Sequence, residues 1–78
     1  MPTVLRINGY RFFFFSDEHL PQHIHIEKAD SYMRIELETL EVTDSYKISS
    51  KEIRKLIKLV EENKKVLKGA WDEYFKEQ

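Results

Sequence analysis

The sequence predicts an α+β protein: a small antiparallel sheet of four or five strands, followed by two C-terminal helices or one long bent helix. Three observations carry this. Residues 3–48 hold several runs of β-branched and aromatic residues, some in strict apolar–polar alternation. Asn8-Gly9 separates the first two runs, and this dipeptide is well suited to the positive φ values of a two-residue type I′ hairpin turn. From Ser49 onward the apolar period changes from that of a strand to that of a helix. The chain is read as one domain over residues 1–78, β-rich through 48 and helical over 49–78.

The first strand is expected over Thr3–Ile7, and the return strand over Tyr10–Phe15. Four consecutive Phe place aromatic rings on both faces of that strand, so it should be central and covered on both sides. Ser16–Gln22 reads as a loop, with Ser16-Asp17 opening a turn and Pro21 biasing Leu20 towards extended geometry. The third strand is His23–Lys28, and Ala29-Asp30-Ser31 is a short polar connection. In the fourth, Tyr32–Glu38, Met33, Ile35 and Leu37 face one way while Tyr32, Arg34, Glu36 and Glu38 face water. Leu40, Val42, Tyr46 and Ile48 keep an even spacing that suggests a fifth, weaker strand or a loop pinned to the sheet.

Ser49-Ser50-Lys51-Glu52 has the spacing of a capping box, with Ser49 as N-cap and Glu52 able to reach back. Ile53, Leu56, Ile57 and Val60 then form the apolar stripe of an amphipathic helix. The stripe resumes at Leu67, Ala70, Trp71, Tyr74 and Phe75, all expected in the core. The polar stretch Glu61–Lys65 places a helix break near Asn63.

Composition narrows the function classes. The chain has 78 residues, 41% hydrophobic and 35% charged, which is that of a soluble globular domain near the lower size limit of a self-sufficient core. No apolar run reaches the roughly 20 residues of a membrane span, and the N-terminus lacks the pattern of a secretory signal. Cysteine is absent, which excludes disulfides and thiolate metal sites. A cytoplasmic protein with no membrane partner is the simplest reading. The net charge of −1 argues against a generally basic nucleic-acid binder. Charge is uneven, however: residues 51–68 carry seven Lys/Arg against three Glu. That stretch is either a solvated helix face or a local binding surface.

All three histidines lie within His19-Leu20-Pro21-Gln22-His23-Ile24-His25-Ile26-Glu27. On a strand, His23, His25 and Glu27 share one face and Ile24 and Ile26 the other. His19 arrives from the preceding loop. Imidazoles and a carboxylate in this pattern suit a divalent transition metal such as zinc, nickel or iron, with His19, His23, His25 and Glu27 as candidate ligands. The same histidines suit acid–base cleavage of RNA, with His23 and His25 as the proton-transfer pair and Arg11 or Arg34 steadying phosphate charge. A non-enzymatic interaction module is the third reading. A single helical layer covers only one face of the Phe strand, which leaves Phe13 and Phe15 as candidates for an interface in a homodimer or with a small cognate protein.

Met1-Pro2-Thr3-Val4-Leu5-Arg6-Ile7, the block Gly9–Ser16, His19-x-Pro21-x-His23-Ile24-His25-Ile26 and the ending Leu59–Phe75 together resemble the small bacterial family catalogued as domain of unknown function 4160. Gln22 stands where that family commonly has a second proline. The resemblance implies a product of small two-gene cassettes of toxin–antitoxin appearance. It places weight on His19, His23 and His25 as the functional site, and it leaves their chemistry unstated.

Overall fold

The computed structural model describes residues 3–76. Five strands, β1 (Thr3–Ile7), β2 (Tyr10–Phe13), β3 (His23–Lys28), β4 (Ser31–Glu36) and β5 (Val42–Tyr46), precede α1 (Ser50–Glu62) and α2 (Lys64–Phe75). The sheet is an antiparallel meander in sequence order, so every strand pairs with its chain neighbour. Met1, Pro2 and the last two residues lie outside the described part, so the resemblance carried by Met1-Pro2 has no structural counterpart here.

Turn chemistry sets the register. Asn8 (φ 53°) and Gly9 (φ 82°) adopt the two positive φ values of the type I′ turn, and Ile7 then faces Tyr10. A similarly tight connection, with Ala29 at φ 52°, joins β3 to β4 and aligns Lys28 with Ser31. These registers put Phe12 opposite Ile26, Ile26 opposite Met33, and Ile24 opposite Ile35, all on one face. That face packs on Leu56 and Val60 of α1 and on Leu67 and Trp71 of α2, forming a single core. Among the described residues no helix is long and apolar enough to cross a membrane.

Two helices are present, and the break falls at Asn63, whose backbone leaves helical geometry at φ −111° and ψ 14°. Ser49 caps α1 by accepting the Glu52 amide through Oγ at 3.1 Å. The reciprocal half of the expected box is diverted. Glu52 Oε2 accepts the Tyr10 hydroxyl at 2.5 Å, tying the helix start to the sheet across 42 positions of sequence. That bond, with burial behind it, pushes the Tyr10 hydroxyl up to about 12.

Three expectations need correction. β2 stops at Phe13, and Phe14 leaves the ladder to pack edge-on against Trp71. Phe13 is buried within its own chain, so it is not available to a partner; its ring lies under the Arg11 guanidinium and against Phe15 and His25. Phe15 alone of that row stays partly open, at 39% exposure. Tyr74, expected in the core, is 43% exposed on the last turn of α2 and meets Phe75 edge-on.

Candidate functional site

The alternation of β3 does what the sequence implies for Ile24 and Ile26, which enter the core. The opposite face departs from expectation. His23 and His25 are 2% and 4% exposed instead of being displayed to water. The Phe14–Gln22 segment folds back over them, and Phe13, Phe15, Tyr32 and Trp71 close the sides.

The residue that draws them together is Glu18, on that returning loop. The Phe15 amide donates to Glu18 Oε2 at 3.0 Å, which holds the loop in a tight local turn. Glu18 Oε1 lies 2.9 Å from His23 Nε2, and Glu18 Oε2 lies 2.5 Å from His25 Nε2. One half-buried carboxylate therefore serves two buried imidazoles. Burial works to raise the Glu18 carboxyl, but the Phe15 amide and the two imidazoles outweigh it and hold the group below its ordinary value.

The far side of each ring settles its orientation. His23 Nδ1 is 2.8 Å from the Pro21 carbonyl, an acceptor only, so Nδ1 carries a proton. With Nε2 also facing a carboxylate oxygen, a second proton or a cation has to lie between His23 and Glu18. Burial, working against the Glu18 bond, pushes His25 down and favours its neutral form. In that form Nε2 donates to Glu18, and the Tyr32 hydroxyl donates to Nδ1 at 2.7 Å. Burial and then the nearby Asp44 charge raise the Tyr32 hydroxyl, which keeps it a donor.

The ligand-capable atoms of Glu18, His23 and His25 all lie within 4.8 Å of one another. Metal–ligand bonds of about 2.0–2.1 Å place neighbouring ligands about 3.3 Å apart around a tetrahedral ion, so small rotations bring this set to an ion. The Pro21 carbonyl behind His23 accepts the back N–H that a metal-ligating imidazole needs to place, and the Tyr32 hydroxyl oxygen can do the same for His25 when the ring proton sits on Nδ1.

The other candidates are placed differently. His19 is exposed and stands outside the convergent set, although it lines the pocket beside Glu18. Glu27 shares the strand face of the histidines but pairs with Arg11, directly opposite in register, at 2.6 Å. It therefore does not join them as a ligand. Arg11 is also held by Thr3, whose Oγ1 accepts from Nε at 2.9 Å. Arg34 stands opposite His25 on β4, and its buried Nε has no partner. Gln22, at the position where proline is common in the resembled family, donates to Asp72 at 2.7 Å and ties the loop to α2.

Glu18 and Tyr32 were not among the expected site residues. The strand period locates side chains only along β3, whereas Glu18 reaches the site through loop closure and Tyr32 through hairpin register. An open pocket of about 530 Å³ lies against Glu18, lined also by Asp17, His19, Leu20, Trp71 and Phe75, and gives solvent a route to the carboxylate.

Residues 9–72 match the model of a family described as a domain of unknown function (DUF4160). No curated protein and no solved structure matches the chain.

Proposed function

We propose that this chain, which belongs to the DUF4160 family, is a small binding or regulatory protein that holds a divalent transition ion through Glu18, His23 and His25. One observation carries the reading: two buried Nε2 atoms converge on one carboxylate, and each ring is fixed from behind. Two imidazoles and a carboxylate, without thiolate, suit zinc, nickel or iron(II) and leave coordination positions for water or a ligand. The neutral state favoured for His25 ligates once its proton moves from Nε2 to Nδ1, where the Tyr32 hydroxyl oxygen accepts it. The pocket beside Glu18 supplies the entry path.

The proposed setting is cytoplasmic and toxin–antitoxin-like, with the protein acting as a homodimer or beside a small cognate protein. Its support is the family resemblance of the motifs, the cysteine-free composition and the open edge of Phe15.

The test is elemental analysis of protein purified without a histidine tag, exposed to zinc, nickel or iron(II) and then desalted. One ion per chain is expected, lost in the His23→Gln/His25→Gln double variant with circular dichroism unchanged. Equal metal content in the folded double variant overturns the reading.

A second reading, a histidine acid–base ribonuclease, is favoured by Arg34 standing opposite His25. It requires cleavage of single-stranded RNA that survives chelation, with a bell-shaped pH dependence that His25→Ala abolishes. Cleavage that chelation stops would instead join the two readings in a metal-dependent nuclease.

A further inference from the structure

Cations on this protein are mostly engaged locally. Arg11 pairs with Glu27, Lys47 with Asp30, Lys68 with Glu38 and Lys76 with Glu73. Lys28 and Lys64 donate to the carbonyls of Asn8 and Glu38. Among the described residues, Lys51, Arg54 and Lys58 form no ion pair and no side-chain hydrogen bond, and all three are exposed. Arg6, Arg34 and Lys65 are also unpaired, but they are scattered.

Lys51, Arg54 and Lys58 stand at i, i+3 and i+7 of α1, so they share one helix face. Lys55 joins them at i+4, with only a loose 3.6 Å approach to Glu52. At 1.5 Å per residue the row is about 10 Å long. Leu56 and Val60 turn the other side of α1 into the core, so the row points away from the sheet. The Glu18–His23–His25 group sits on the opposite sheet face, and nothing about this row depends on the metal reading.

We propose that this row binds the phosphodiester backbone of a nucleic-acid duplex without reading its sequence. Position 51 and positions 54, 55 and 58 are all cationic, and no exposed aromatic or aliphatic side chain interrupts them. A protein partner would need an apolar centre to the patch, and a single strand would need aromatic platforms for its bases. A straight row of charges meets the needs of a duplex backbone, where phosphate contacts position without specifying. The chain as a whole is weakly anionic, so the attraction comes from this face and not from net charge. Affinity belongs in the non-specific range, with Kd about 10⁻⁴–10⁻⁶ M at physiological salt.

The experiment is fluorescence anisotropy of a labelled short DNA duplex titrated with the full chain at several salt concentrations. Three to four phosphate contacts give a slope of log K against log salt of about −3. The Lys51→Gln/Arg54→Gln/Lys58→Gln variant should keep its circular dichroism, bind more weakly and flatten the slope to about −1. Lys76→Gln, at the far end of α2, should leave the slope unchanged. Absence of binding at low salt overturns the proposal, and so does an unaltered slope in the triple variant. Tighter binding to poly-glutamate or to single-stranded RNA than to the duplex also overturns it, and reassigns the face to that partner.

Discussion

His23 holds the Pro21 carbonyl at 2.8 Å with one ring nitrogen and the Glu18 carboxylate at 2.9 Å with the other, so the ring bridges the middle of the loop that covers it and the residue near its return to β3. Two of the three side-chain hydrogen bonds that pin this loop to β3 pass through Glu18. The carboxylate is therefore structural as well as ligand-like, and its removal has a measurable cost.

Glu18→Gln keeps the shape of the side chain and removes its charge. Two buried imidazoles and the Phe15 amide then share one neutral acceptor. Leaving a buried donor unsatisfied costs about 1–3 kcal/mol, and a loss of that size should appear as a lower urea midpoint with an unchanged slope. An unaltered midpoint would mean that the loop is held by Phe14 and Gln22 alone.

The Tyr10–Glu52 bond makes stability depend on alkaline pH. Tyr10 is raised from 10.0 to about 12 in the folded state, so the native chain holds its proton where the unfolded chain has released it. Fewer bound protons in the unfolded state give a negative slope of stability against pH. The contribution is complete below pH 10 and disappears as pH climbs towards 12. Tyr10→Phe should lower the melting temperature at neutral pH and flatten its decline over that alkaline window.

Ala29 occupies positive φ without being glycine. That conformation costs an L-residue about 1–2 kcal/mol, while glycine adds about 0.4–1 kcal/mol of unfolded-state entropy. Ala29→Gly should therefore raise stability by roughly 0.5–1 kcal/mol, read from chemical denaturation. Leu40 also has positive φ, but it packs on the core, and Leu40→Gly should destabilise instead.

Ile24 and Leu20 test how sharply the β3 register is set. Ile24 is fully buried against Ile35, and Ile24→Ala should cost about 2–5 kcal/mol. Leu20 is 76% exposed on the covering loop, and Leu20→Ser should change stability by less than about 0.5 kcal/mol. Equal effects at the two positions would contradict the placement of the loop.

Much of this architecture is legible in the sequence because it is locally encoded. Asn8-Gly9, the Ile24/Ile26 alternation and the change of period at Ser49 each determine an element without help from distant residues. The end of β2 is hidden because four identical Phe give no contrast at the point where Phe14 turns into the core. Glu52 satisfies the capping-box spacing, yet a hydroxyl 42 positions away captures its side chain. The site is half legible: periodicity places His23 and His25 together, but their burial and their shared carboxylate depend on how a loop folds back. The wet face expected for β3 is wet only near Glu27, beyond the reach of that loop.

Glu18, His23, His25 and Tyr32 are joined by bonds spanning five to seven positions. The polar constellation is therefore a property of one loop and one hairpin, and its closure entropy is small because the connecting segments are short. A site of this kind is portable: residues 14–36 carry its polar contacts, and the helices contribute mainly a floor, with Trp71 against the His23 ring. The outer surface of α1 makes no contact with the carboxylate or its two rings, so the cationic row on that helix and the buried cluster can vary independently of each other.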